Sequence, residues 1–276
     1  MASTLTPEQL ATFERDGVVR LPGAFTADEA AAMRDVVWRE LGTRGLRRDD
    51  PTTWVDEAPA HLQHLKARPE WRAVWSERTL GAVADLVGPE RAVAPPDSGA
   101  FFILFPTPRP WRVPWKAWHV DHAWLDPKAP LRALKVHAHF GRTLPRAGGM
   151  TILAGGHHLI DAIARTLPPF PADAKGEVVR KAIMQGHPYL RALGTDVGDD
   201  EAAQRARIER FVDREEDVLG FPVRVVENTA EPGDVLLMHP LTLHTRPTNA
   251  GTEPRLVLNK DLYPPGGPTP TMSPSR

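Results

Sequence analysis

The sequence predicts a mainly β fold, a sandwich or jelly roll, with helices at its start and a helical insertion in its second half. Three observations predict it. From about residue 99 onward, short apolar segments alternate with turns. The 29 prolines and 21 glycines among 276 residues punctuate the chain too often for a helical bundle. Helical patterning is confined to residues 6–41, 77–88 and parts of 159–220.

In chain order, residues 6–16 predict a short helix, with Thr6 as N-cap, Pro7 at the first helical position and Gln9 closing a capping box. GVVRL (17–21) predicts a strand. A second helix is expected from Ala27 to Leu41, capped by Thr26 with Glu29, its apolar stripe formed by Ala30, Met33, Val37 and Leu41, and ended by Gly42. Residues 43–75 are charged and irregular, and ERTLGAVADLVG (77–88) is helical. Within 43–75, His61 and His64 have the spacing to share a helix face but are expected to lack a nearby carboxylate partner, and so to be ordinary surface residues.

GAFFILFP (99–106), the segment around Trp118 to Asp121, LRALKVHAHF (131–140) and GMTIL (149–153) predict strands. So do PVRVVEN (222–228), DVLLMH (234–239) and RLVLNKDL (255–262). Between these groups lies a charged, helix-rich insertion over about 159–220, whose 201–219 stretch predicts a solvated helix and a candidate lid. Residues 1–265 are expected to form one domain, and 266–276 a disordered tail.

Composition excludes several function classes. The net charge is −1 with no basic block, which gives no electrostatic footprint for nucleic acid or an anionic membrane. No apolar run approaches a membrane span, and the polar N-terminus does not resemble a signal peptide, so a cytoplasmic location is expected. The absence of cysteine excludes disulfides, thiolate nucleophiles and iron–sulfur clusters. Any metal must bind through His, Asp or Glu, ligands that suit non-haem Fe(II) among others.

WHVDHAW (118–124) concentrates the chemistry. In an extended strand, residues i and i+2 share a face, so His119 and Asp121 project together while Val120 and His122 point away. A third ligand from a neighbouring strand would complete a two-histidine, one-carboxylate facial triad with open positions. Asp121 orienting His119, or both as surface groups, is the structural alternative. The distal segment GDVLLMHPLTLHTRPTN carries His239 and His244, and Arg255 follows His244 by 11 residues. A guanidinium there could bind a far carboxylate in a bidentate pair.

Several segments, in order, resemble the phytanoyl-CoA dioxygenase family of Fe(II)/2-oxoglutarate-dependent oxygenases. They are FERDGVVRLPGAFTADEAAAMRDVV near the N-terminus, WHVDHAW, AGGMTILAGGHH (147–158), and GDVLLMHPLTLHTRPTN with Arg255. The resemblance spans about residues 12–262 apart from the insertion. It implies a double-stranded β-helix (jelly-roll) core. His119, Asp121 and His244 would be the catalytic iron ligands, and Arg255 would hold the distal carboxylate of 2-oxoglutarate. The family's spacing selects His244 over His239, which is then a packed or supporting residue.

The sequence departs from the family at Arg246, where a small hydroxyl residue is usual; either the cosubstrate is held differently or Thr245 substitutes. His137 replaces a family aromatic on the third strand. It is either a cosubstrate contact or, with His139, part of a hydrogen-bonded interior. Asp121 fills the position that related halogenases leave without a carboxylate, so hydroxylation or another oxidation, rather than halogenation, is expected. The implied cofactors are Fe(II), 2-oxoglutarate and O2.

Trp118, Lys116 and Trp124 are substrate candidates from an aromatic, cationic loop; the alternative is that the tryptophans form the core edge. The expected substrate is a small molecule of the secondary-metabolite kind, hydroxylated as 2-oxoglutarate becomes succinate and CO2. Alternatives are desaturation, epimerisation or cyclisation with the same cofactors, a jelly-roll binding protein without turnover, and a metal hydrolase or isomerase.

Overall fold

The computed structural model describes residues 3–55, 57–120, 133–167 and 176–262. The N-terminal part comprises α1 (Pro7–Asp16), β1 (Val18–Leu21), α2 (Ala27–Gly42) and α3 (Glu77–Val87). Both capping boxes form as the sequence predicts, Thr6 with Gln9 and Thr26 with Glu29. Then follow β2 (Ala100–Leu104), β3 (Leu134–His139), β4 (Thr151–Ala154), and the helices α4 (Gly156–Ala164), α5 (Gly176–Gly186), α6 (Pro188–Leu193) and α7 (Glu201–Phe211). The chain then continues through β5 (Glu216–Val218), β6 (Phe221–Glu227), β7 (Val235–Met238), β8 (His244–Thr245) and β9 (Arg255–Leu262).

The strands form two antiparallel sheets, ordered β1-β7-β3-β9-β2 and β5-β6-β4-β8. Alternation along each strand sorts the side chains into three apolar groups. Phe101, Ile103, Val136, Val235, Leu237, Leu256 and Leu258 leave the outer face of the five-stranded sheet and join Met33, Val37, Trp71 and Val83 from the N-terminal segments. On the other flank, Leu153, Val225 and Leu243 pack outward against Leu159, Leu190 and Phe211 of the inserted helices. Between the sheets, Ile152 and Val226 meet Met238 and Val18. The inner faces therefore belong to His244, which pairs with Ile152, and to Lys135, which pairs with Met238.

Several expectations are corrected. The helix over 201–219 stops at Phe211, because Arg210 turns back to grip Glu216 through two nitrogens and Val218 buries itself in strand pairing with Phe221. Gly42 lies inside α2, and Thr43 ends it. His61 has a left-handed backbone (φ 62°) outside the 3-10 turn that holds His64, so the two share no helix face. His64 does have a carboxylate beside it, Glu40 at 3.1 Å. Near Trp118 the described residues hold one isolated bridge rather than a strand. Asp121, His122, Trp124 and the 266–276 tail lie outside the described residues.

Gly17 ends α1 at φ 73°, and its carbonyl accepts from His239 N–H (2.8 Å) and Thr242 Oγ1 (3.0 Å). A Cβ there would sit 2.5 Å from Thr242 Oγ1 and 2.6 Å from His157 Nδ1. Gly17→Ala should therefore cost roughly 3 kcal/mol, combining left-handed strain with overpacking. Urea unfolding measures it, and a cost below roughly 1 kcal/mol would show that this junction relaxes freely.

Candidate active site in the barrel interior

His119 and His244 face each other across adjacent extended segments. Each donates its backbone N–H to the other's carbonyl at 3.0 Å, and their rings lie 4.3 Å apart. Trp118 and Val120 pack with the outer cluster, so alternation turns His119 inward with His244. Each ring uses Nδ1 locally: His119 to the Ala117 carbonyl at 2.8 Å, His244 to the Thr242 carbonyl at 2.9 Å. A carbonyl can only accept, so both Nδ1 atoms carry a proton, and in the neutral ring this leaves Nε2 as the atom with a lone pair for a metal. That is how metal-binding imidazoles are commonly oriented and tuned.

Arg255 opens β9 on the same inner face. It is only 5% exposed, donates Nη1–H to the Gly148 carbonyl at 2.8 Å, and its Nε–H has no partner. Among the described residues no carboxylate pairs with it within salt-bridge distance. Burial, and secondarily the charge of Arg246, pull its pKa down to about 10, with Glu227 opposing. A buried cation with an unpartnered donor suits an anionic ligand.

His139 shares this inner face, with its Nδ1 3.2 Å from Thr143 Oγ1. His137, also buried, pairs with Asn259 between His139 and the end of β3 that holds Lys135. The inner positions of β3 are thus Lys135, His137 and His139, although the whole strand is buried. Polar residues alternating with Leu134, Val136 and Ala138 were a legible signal for a lined chamber, and Lys135 was the member that sequence reasoning missed.

The other predicted site residues lie elsewhere. Thr245 is on the outer face and donates to the Lys116 carbonyl at 3.1 Å, so its hydroxyl is turned away from the two histidines. Arg246 is exposed. Trp118 is buried in the outer cluster, with its indole N–H on the Pro114 carbonyl, and Lys116 is exposed, with its ammonium 5.4 Å from the Trp115 ring. Trp118 also floors a cleft of about 230 Å³ between residues 115–118 and helices α5 and α6, bordered by Trp115, Arg180, Lys181 and Arg191. His239 alternates with Leu237 toward α1, against Phe13 and His157, with Nδ1 accepting from Leu241 N–H.

His157, His158 and His239 cluster beside Gly17. Burial, then the charges of His239 and His158, hold His157 down to about 3. Burial, then His158, holds His239 to about 4; burial, then Arg255 and Arg20, holds His139 to about 3. These folded values lie below the ordinary 6.5, so above pH 6.5 both folded and unfolded forms are neutral and nothing is lost. Below it the unfolded chain takes up protons that the fold refuses. Stability should fall by about 1.4 kcal/mol per pH unit per histidine, levelling off near each folded pKa. Urea midpoints between pH 7 and 5 measure this, and the slope should drop in His157→Gln. A flat profile would contradict the buried-neutral assignment.

A match to the model of the phytanoyl-CoA dioxygenase (PhyH) family covers residues 13–257. The chain belongs to the PhyH family. It is a non-haem iron and 2-oxoglutarate-dependent oxidoreductase, with Fe(II) and 2-oxoglutarate as cofactors. Its core is the PhyH jelly roll. Among solved structures it is similar to AviO1 from Streptomyces viridochromogenes Tue57, at 18% identity and a TM-score of 0.53, covering 98% of this chain and 99% of that one. It is also similar to the non-heme alpha ketoglutarate dependent carbocyclase SnoK from nogalamycin biosynthesis, at 13% identity and a TM-score of 0.51, covering 95% of this chain and 86% of that one. Comparison with curated protein sequences finds no match. Among the described residues, no helix is long and apolar enough to cross a membrane.

Proposed function

We propose that this PhyH enzyme hydroxylates a C–H bond of a small molecule, in the cytoplasm, with His119, Asp121 and His244 holding Fe(II) and Arg255 holding the distal carboxylate of 2-oxoglutarate. The observation that carries the reading is the His119–His244 pair, inward-facing and with both proton positions fixed by backbone carbonyls. Bound iron and 2-oxoglutarate supply the oxidant: dioxygen gives one atom to 2-oxoglutarate, which leaves as succinate and CO2, and one to the substrate.

The chain's own residues supply the rest. The backbone pairing of His119 with His244 fixes the two imidazoles before any ligand arrives. Arg255 neutralises a carboxylate in a buried place where water would compete poorly. His137 lines the space between the Arg255 end and the histidines, as a cosubstrate contact. The apolar inner wall of Ile152, Met150 and Met238 excludes water from the reacting centre. Arg246 adds positive charge near Arg255 and favours entry of a dianion.

The substrate of this proposal is a small molecule of the secondary-metabolite kind; the cleft over Trp118, lined by Trp115, Arg180, Lys181 and Arg191 together with Glu177, lies on the outer face, away from the inward-turned histidines. Residues 1–265 form the single catalytic domain of this proposal.

Anaerobic titration of the metal-free protein with Fe(II), then 2-oxoglutarate, tests the reading through the weak visible band that chelation produces. The band should require both components. If iron binds but 2-oxoglutarate adds no band, the assignment of this chamber fails.

A further inference from the structure

The turn that leads into His119 is strained, and the groups around it hold the strain in place. Ala117 has a left-handed backbone, φ 60°, which is costly for a residue with a Cβ. Its own side chain does not hold it there, because Ala117 is exposed. The neighbouring carbonyls are held instead. Trp118, buried in the outer cluster, donates its indole N–H to the Pro114 carbonyl at 2.8 Å. Arg207, also buried, donates from Nη2 to the same carbonyl at 3.4 Å, while Nη1 and Nη2 hold the Ala192 and Leu193 carbonyls at the end of α6, each at 2.8 Å. Thr245 donates its hydroxyl to the Lys116 carbonyl at 3.1 Å. The Ala117 carbonyl turns back and accepts from His119 Nδ1 at 2.8 Å.

Of these holds, Thr245 acts closest to the strain. The Lys116 carbonyl belongs to the rigid peptide plane that precedes Ala117, so a donor fixed on it opposes rotation about the Ala117 φ. The donor is itself fixed. Thr245 is 1% exposed and pairs with Thr151 of β4. It also follows His244 directly on β8. Consecutive strand residues face opposite ways, so this short strand presents His244 inward and the Thr245 hydroxyl outward.

The geometry points to Thr245 as a positioning residue for His119: its hydroxyl clamps the Lys116 carbonyl, keeps Ala117 left-handed, and so keeps the Ala117 carbonyl on His119 Nδ1. This rests on the reading of His119 and His244 as metal ligands. One strand then supplies one histidine through its inner face and orients the other through its outer face. Without the clamp, Ala117 relaxes toward an ordinary conformation and its carbonyl leaves the ring. The His119 proton is then free to move to Nε2, the atom that a metal needs with its lone pair.

Two measurements on the full chain test this: Fe(II) affinity under argon, by competition with a chelator, and long-range 1H–15N spectra of the metal-free protein at neutral pH, which read which ring nitrogen carries the proton. The His119 and His244 signals are identified by their loss in the alanine variants. Thr245→Val keeps the branched shape and removes the donor. It should weaken Fe(II) by about 10- to 100-fold and give His119 a population protonated at Nε2. His244 should stay protonated at Nδ1, because its bond to the Thr242 carbonyl is untouched. Thr245→Ser should behave as the wild type. Adding Ala117→Gly to Thr245→Val should recover part of the affinity, because glycine adopts the left-handed form without a clamp. A hydroxyl with a purely structural role would lower the urea midpoint and leave both readouts where they were. Either readout unchanged in Thr245→Val, a loss shared by Thr245→Ser, or a double variant no better than Thr245→Val overturns the inference while leaving the proposed function standing. If His119→Ala binds Fe(II) as the wild type does, the proposed function itself falls.

Discussion

Replacing His244 or His119 by alanine is expected to abolish Fe(II) binding and, with it, oxygen-dependent succinate formation. Loss of a supporting residue around a metal typically costs about 10–100-fold in affinity, so loss of a direct ligand should exceed about 100-fold. The backbone bridge between the two residues uses only main-chain groups, at 3.0 Å in both directions, so it can survive truncation of either side chain. The fold should therefore persist, as circular dichroism would show. Two controls sharpen the result. His239→Gln removes the competing distal histidine, which packs on Phe13 and His157, and should leave Fe(II) affinity unchanged. Trp118→Phe changes the neighbour of His119 on the opposite face and should lower stability without touching iron. An iron affinity that follows His239 rather than His244 would refute the ligand assignment.

Arg255→Met should give two effects of opposite sign. Affinity for 2-oxoglutarate should fall by roughly 3 kcal/mol, or about 150-fold, because a desolvated charge pair is lost. Stability without ligand should rise by roughly 1 kcal/mol, because a buried cation that no carboxylate neutralises among the described residues is replaced by an apolar side chain of similar length. The lowered pKa of Arg255 states the same cost: burial disfavours its charged form in the fold relative to the unfolded chain. Adding 2-oxoglutarate to the Fe(II)-loaded wild type should then raise the melting temperature, and should do so far less in the variant. A variant that binds 2-oxoglutarate as the wild type does would remove Arg255 from the site.

Much of this was legible in the sequence because it depends on local rules. The capping boxes at Thr6 and Thr26 and the full extent of β9 are matters of short-range pattern. Alternation placed His119 opposite in direction to Val120, and His137 with His139, before any tertiary contact was considered. The failures were also local signals, overridden by long-range ones. The charged stretch after Phe211 has helical composition, yet Arg210 and Glu216 close a turn and Val218 pairs in a sheet. His64 gained a carboxylate because Glu40 on α2 reaches it from 24 residues away. Thr245 has the right chemistry to replace a hydroxyl after His244, but strand alternation turns it outward, to the Lys116 carbonyl.

The sequence by itself determined the alternating strand grammar, the family resemblance and the residue types able to meet a metal and a dicarboxylate. Those follow from periodicity and side-chain chemistry, which need no partner segment. Only the tertiary structure decided that residues 119 and 244 are backbone partners, that Ala117 and Thr242 fix their proton positions, and that Lys135 is paired with Asp261 inside the barrel. Register between strands more than 100 residues apart is set by the packing of whole sheets, and a shift of one residue would have turned each of these side chains to the opposite face.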